Sequence, residues 1–206
     1  MIRRVALTGG IGTGKTYVRR RLEALGVPTV DADQLARDAL GAGTPALAAV
    51  VARFGPDVLD DQRRLDRRAL AAIVFADTGA RRDLEAIVHP VVRRAVDAWF
   101  SGLDTAATPY AVADIPLLYE TGRDRDFPTV VVAACPLAVQ LTRVRERDGM
   151  SAEDARRRIA AQLPIEEKVA RADYVVRTDG TFAETDAQVD RIHRLLSSET
   201  GSPLPQ

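Results

Sequence analysis

Residues 8–16, TGGIGTGKT, combine small residues, one cation and one hydroxyl in an order suited to holding a phosphate. Gly9, four intervening residues, then Gly14, Lys15 and Thr16 fit the glycine-rich nucleotide loop. Glycines let backbone N–H groups turn toward an anion, and the N-terminus of a following helix adds partial positive charge. Gly10, Ile11, Gly12, Thr13 and Gly14 are therefore expected to cradle phosphates through their backbone, with Tyr17 continuing the cradle into the first helical turn. Lys15 would reach the β- and γ-phosphates, and the Thr16 hydroxyl would bind Mg²⁺. The alternative is a glycine-rich turn that merely joins a strand to a helix. The apolar run before the loop and the helical pattern TYVRRRLEAL after it favour the nucleotide.

A nucleotide loop alone does not separate a kinase from a switch, a motor or an ATP-binding regulator. Asp31 and Asp33, in VPTVDAD at residues 27–33, supply carboxylates where a second strand ends, the edge at which ligands of such sheets bind. If the strand continues, the two share a face. A carboxylate there can take the proton of an attacking hydroxyl, the step that phosphoryl transfer to an alcohol requires. A competing reading has one Asp capping the helical stretch QLARDAL. Asp114, ending the run YAVADI, is placed either to support Mg²⁺ or to stabilise a turn. Arg143 and Arg147 stand four apart on one helical pattern and could reach a nucleotide as a pair. Arg156, Arg157 and Arg158 are consecutive and cannot all share a helical face. His89, before Pro90, could instead stack or cap where the proline is expected to interrupt a helix.

The elements that would position these groups alternate. Apolar runs at 2–8, 110–115 and 129–135 read as buried strands, with shorter candidates at 27–33 and 172–177. Helical patterns lie between, among them Leu137, Leu141 and Val144, or Val189, Ile192 and Leu196. Strands too apolar to face water on either side predict a mainly parallel sheet covered by helices. Residues 36–106 carry helical stretches and no convincing strand, which reads as a helical insertion. Residues 151–171 are rich in Arg, open on a Ser151/Asp154 cap pair, and space Ala155, Ile159 and Leu163 four apart, as a lid over phosphates would. The core is then about 1–35, 107–150 and 172–197, with a flexible tail at 198–206.

The whole-chain numbers exclude several classes. With 206 residues and 46% hydrophobic content the chain suits one packed domain with insertions. Its 29 basic and 29 acidic residues cancel, so it offers no overall basic field for nucleic acid. It has no apolar run of bilayer-spanning length, and MIRRVALTGG is too short an apolar start for a signal peptide. A cytoplasmic protein, working as a monomer without nucleic acid or membrane, is expected. Cys135 is the single cysteine, which forbids an intrachain disulfide and reads as a small buried hydrophobe.

Taken in order, LTGGIGTGK, DADQLAR, LDRRALAAIVF, LEAIVHPVV, DIPLLYE and RVRERDGMSAEDARRRIAAQ followed by KVARADYVV resemble the dephospho-coenzyme A kinase family, from about residue 2 to 180. The resemblance implies a three-layer α/β P-loop kinase fold: a five-stranded parallel sheet, a helical acceptor-binding insertion and an Arg-rich lid. It implies ATP-dependent phosphorylation of the ribose 3′-hydroxyl of dephospho-coenzyme A, the last step of coenzyme A synthesis, with Mg²⁺. By the same carry-over Asp33 is the base, Lys15 and the loop amides hold ATP, and Arg143 stabilises charge on the transferred group. Asp31, Asp33 and Arg37 of DADQLAR, His89, and Leu117 and Glu120 of PLLYE shape the acceptor site. Two departures stand out: Tyr17 replaces a small hydroxyl residue, and Arg177-Thr178-Asp179-Gly180 replaces a region where the family commonly has an Asn near the adenine. The rivals are another small P-loop kinase with a different acceptor, and a nucleotide-responsive binding module without turnover.

Overall fold

A computed structural model describes residues 2–104 and 108–198. The apolar, β-branched runs form β1 (Arg3–Gly9), β2 (Thr29–Asp31), β3 (Tyr110–Asp114), β4 (Thr129–Ala134) and β5 (Tyr174–Arg177). They make one five-stranded parallel sheet in the order β2-β3-β1-β4-β5. In chain order the helices are α1 (Lys15–Ala24), α2 (Ala32–Ala39), α3 (Pro45–Phe54), α4 (Arg67–Ala76) and α5 (Thr78–Ser101). They continue as α6 (Leu137–Asp148), α7 (Ala152–Ala160), α8 (Ile165–Ala170) and α9 (Phe182–Ser197). The chain divides into two compact units, Met1–Val30 with Gly102–Gln206, and Asp31–Ser101.

In the first unit β1 is central, with Val5 opposite Val112 of β3 and Leu7 opposite Val131 of β4. The edge at β2 is tied in by the Val112 N–H, which donates to the Pro28 carbonyl at 2.9 Å. All of β3 is buried, as expected of a parallel strand covered on both faces. On one face Val5, Leu7, Val112, Val131 and Val176 pack with Val18 and Leu22 of α1 and with Val189, Ile192 and Leu196 of α9. Ala6, Ala111, Ala113, Val130 and Val132 are buried too, on the alternate positions of the strands; α8 packs against β4. The second unit has its own apolar cluster, Leu40, Ala46, Val50, Val58 and Leu70, with α2, α3 and α4 all packed on α5.

Four local expectations change. The strand in VPTVDAD stops at Asp31 and α2 begins at Ala32, so Asp31 and Asp33 do not share a strand face. The cause is capping: the Asp31 carboxylate accepts from the N–H groups of Asp33 at 2.9 Å and Gln34 at 3.1 Å. Pro90 does not interrupt its helix, because α5 runs through it. An internal proline costs about 3 kcal/mol locally, and the burial of Val92, Val96 and Phe100 together with the packing of Leu84, Ile87, Val88 and Val91 on the unit's apolar cluster outweighs it. Leu137 is 51% exposed in the first turn of α6, whose buried face is Gln140 and Val144. Finally, Leu163 lies beyond α7, since Pro164 disfavours helical backbone just before it and separates α7 from α8. The Ser151 cap forms as expected, its hydroxyl accepting from the Asp154 N–H at 3.0 Å. Residues 199–206 of the expected tail lie outside the described residues.

The Asp31 cap yields a direct test. Asp31→Ala is expected to cost about 1 kcal/mol, whereas Asp31→Asn, an equally good capping side chain, should cost far less. Urea midpoints measure both. Equal losses in the two variants would show that the charge, not the cap, is what matters.

Candidate active site

The glycine loop joins β1 to α1 at the carboxyl end of the central strand. Gly12 and Gly14 have φ of 78° and 77°, the left-handed region that favours glycine. At Gly12 a side chain is also excluded sterically, since a Cβ would lie 2.9 Å from the Gln140 carbonyl oxygen. Gly14 caps α1 without any side-chain hydrogen bond, its left-handed backbone turning the loop into the helix. Inside the loop, the Thr13 N–H and hydroxyl both donate to the Gly10 carbonyl, at 3.2 and 2.8 Å.

Three residues buttress the loop. Arg143 Nη1 donates to the Gly12 carbonyl at 3.3 Å and to Thr178 Oγ1 at 3.1 Å, while Nη2 donates to the Thr178 carbonyl at 2.6 Å. The Thr178 hydroxyl in turn donates to the Thr13 carbonyl at 2.7 Å. Buried Cys135 lies under the same loop, its Sγ 3.7 Å from the Gly12 carbonyl oxygen, and burial pushes its thiol pKa up. Gly14, Tyr17, Arg143, Thr178, Phe182 and Thr185 line a cleft of about 460 Å³ that opens beside the loop. Tyr17 is committed to that wall: its hydroxyl donates to Asp186 at 2.9 Å and its ring lies 4.8 Å from that of Phe182.

The Lys15 ammonium is paired with the carboxylate of Asp114, which is 2% exposed at the end of β3, and Arg19 Nε lies 3.4 Å from the other Asp114 oxygen. Thr16 is exposed at the start of α1. The Thr16 hydroxyl and the Asp114 carboxylate are oxygen ligands of the type that suits Mg²⁺, though here Lys15 and Arg19 occupy Asp114.

Arg147 does not join Arg143: its guanidinium pairs with Asp148 through two bonds, at 2.7 and 2.9 Å. Arg156, Arg157 and Arg158 are all exposed, Arg157 pairing with Glu153 and Asp154 and Arg158 with Asp148. Leu117 is 43% exposed. Glu120 accepts from the Leu163 N–H at 3.0 Å and from Lys168 at 2.7 Å. Lys168 is fully buried and also donates to the Pro116 carbonyl at 3.2 Å. Burial draws its pKa below the ordinary lysine range, while Glu120 pulls the other way. Neither Lys168 nor Gln162, which accepts from the Ile11 N–H, stood out in the sequence, and Thr178 did so only as part of a departure from the family pattern. Only the pre-proline break at Leu163 signalled that α7 and α8 part there.

In the second unit Asp33 is exposed in the first turn of α2, where a carboxylate interacts favourably with the helix dipole. Arg37, also exposed, donates to Gln34 at 3.0 and 2.8 Å. His89 is exposed on α5, and α2 packs on α5.

The family model described as dephospho-CoA kinase matches residues 3–184. A dephospho-CoA kinase from Anaeromyxobacter dehalogenans is 47% identical, the match covering 99% of this chain and 97% of that protein. Among solved structures, a protein from Thermus thermophilus is similar with a TM-score of 0.82 and 35% identity, over 94% of this chain and 96% of the other. A dephospho-CoA kinase from Campylobacter jejuni has a TM-score of 0.73 and 27% identity, over 96% and 98%. With the family matched across most of its length, the chain belongs to the dephospho-CoA kinases and is a P-loop kinase of coenzyme A biosynthesis.

Proposed function

We propose that the chain transfers the γ-phosphoryl group of ATP to the ribose 3′-hydroxyl of dephospho-coenzyme A, with the residues identified above in defined roles. The observation that carries the reading is the glycine loop at the end of β1, with left-handed Gly12 and Gly14 and with Lys15 at the start of α1. Such a loop binds the β- and γ-phosphates through oriented N–H groups and one cation. The glycine loop holds the triphosphate through the N–H groups of Gly12, Gly14, Lys15 and Thr16, since those of Ile11 and Thr13 serve Gln162 and the Gly10 carbonyl, and the cleft walled by Tyr17, Arg143, Thr178 and Phe182 takes the nucleoside.

In the transfer, the acceptor 3′-oxygen forms a bond to the γ-phosphorus, the bond from that phosphorus to the β–γ bridging oxygen breaks, and ADP leaves. The proton of the 3′-hydroxyl passes to the Asp33 carboxylate. Lys15, on leaving Asp114, neutralises charge on the phosphates, and Arg143 adds fixed positive charge at the loop; positioning and electrostatics dominate such reactions. Arg147 pairs with Asp148 in this structure, and a role on the nucleotide requires it to leave that partner. Mg²⁺ would neutralise phosphate charge, and Thr16 with Asp114, once Asp114 gives up its Lys15 partner, would hold it.

The helical unit Asp31–Ser101 carries Asp31, Asp33, Arg37 and His89 and is assigned to the acceptor, together with Leu117 and Glu120. Residues 151–171 serve as the lid that excludes water, which competes with the acceptor for the phosphoryl group. We place the enzyme in the cytoplasm as a monomer. Among the described residues no helix is long and apolar enough to cross a membrane.

A coupled ADP-release assay tests the proposal. ADP release is expected to depend on dephospho-coenzyme A, to be unmoved by shikimate or nucleoside monophosphates as alternative acceptors, and to stop on chelation of Mg²⁺. Acceptor-independent release, or a preference for another alcohol, would reassign the substrate.

A further inference from the structure

The glycine loop is held at two ends. Arg143 and Thr178 grip Gly12 and Thr13, as described. The other end, at Gly10 and Ile11, is approached by two neutral amides. Gln140, 2% exposed, has its Oε1 3.1 Å from where a Cβ on Gly10 would sit. Gln162 Oε1 accepts directly from the Ile11 N–H at 2.8 Å.

Gln162 stands at the break between α7 and α8, where Pro164 leaves backbone donors outside any helix. The next N–H, that of Leu163, donates to Glu120 at 3.0 Å. Glu120 also accepts from the fully buried Lys168 at 2.7 Å, and Lys168 donates to the Pro116 carbonyl at 3.2 Å. That carbonyl takes the Thr8 hydroxyl as well, at 3.1 Å, one residue before the glycines begin. One polar chain therefore leaves β1 at Thr8, passes through Pro116, Lys168 and Glu120 to residues 162–163, and returns to the loop at Ile11. A closed path of this kind fixes the distance between the loop and the root of the Arg-rich segment.

We propose that Gln162 is a positioning residue for phosphoryl transfer, holding the Ile11 amide so that the phosphate loop stays registered with the root of the 151–171 segment. The proposal rests on the loop being the ATP site. The residue type fits the task. The Ile11 N–H needs an acceptor, which Lys and Arg lack, and a carboxylate would set negative charge beside a polyphosphate. A glutamine accepts without charge.

The test compares Gln162→Leu and Gln162→Glu in the full chain, with wild type assayed alongside. Gln162→Leu keeps the volume but not the acceptor. Its kcat at saturating ATP and acceptor is expected to fall about tenfold, as loss of alignment at a reacting centre does, with faster hydrogen exchange at the Ile11 amide. Gln162→Glu restores an acceptor and adds charge. Its kcat should return to within about threefold of wild type while its KM for ATP rises, the rise shrinking with added salt. A Gln162→Leu kcat within about twofold of wild type would overturn the proposal, on the same alignment argument. So would a Gln162→Glu enzyme as slow as Gln162→Leu with its Ile11 amide protected. If Gln162→Leu fails to fold, Gln162→Glu decides alone: a salt-sensitive KM with near-normal kcat supports the role, and an unchanged KM overturns it. Loss of acceptor-dependent ADP release in wild type would instead count against the kinase assignment.

Discussion

Lys15→Met is expected to lower kcat/KM for ATP by about 10²- to 10³-fold, the scale of losing one preorganised group that stabilises transition-state charge. Methionine keeps the length and apolar stem of lysine and removes only the ammonium. The structure fixes what else the change disturbs. Lys15 pairs with Asp114, so its removal withdraws one cation from a carboxylate that is 2% exposed. Arg19 remains 3.4 Å from that carboxylate. The stability loss should therefore fall below the roughly 3–5 kcal/mol of breaking a fully buried pair. Steady-state ADP release and a urea midpoint on the same preparation separate the two effects. Unchanged kinetics would remove the loop from the catalytic account, and a collapse in stability with normal kinetics would make Lys15 a structural counter-ion only.

Asp33→Asn should leave ATP affinity intact and cut kcat by about 10²- to 10⁴-fold, the range for lost general-base assistance. The substitution is structurally mild. Asp33 is exposed, and its backbone N–H donates to the Asp31 carboxylate, a bond that Asn at position 33 retains. A rate loss without a stability loss thus reports chemistry. Equilibrium binding of ATP and saturating kcat are the measurements. Turnover near that of wild type would take the base role away from Asp33.

The parts legible in the sequence were those set by local pattern. Runs such as TVVVAA fit a parallel strand covered on both faces, so β1, β3, β4 and β5 lie within two residues of the bounds of their apolar runs. The glycine loop was legible because its backbone demands glycine at Gly12 and Gly14. What was not legible depends on long-range packing. Nothing near Pro90 reports that α5 continues, because the contacts that hold it come from other helices. Leu137 has core spacing on paper, yet Gln140 takes the buried position by donating to the Cys135 carbonyl at 3.3 Å. Thr178 lies in the stretch that replaces a region where the family commonly has an Asn, and it serves the loop through Thr13 and Arg143, contacts 165 and 35 residues away in the chain. Lys168 reads in sequence as one more surface lysine of IEEKVA; only the fold encloses it with Glu120 and Pro116. Asp31 offered two roles, and capping is one that the structure displays.

The position of the transferred phosphate on the product identifies the acceptor oxygen. Wild-type enzyme, Mg·ATP and dephospho-coenzyme A should be run to completion and the product assigned by mass and by phosphorus–proton NMR correlation. One added phosphate, coupled to the ribose 3′ proton, is the predicted result. A phosphate at any other oxygen, or ATP turnover with the acceptor recovered unmodified, would contradict the account.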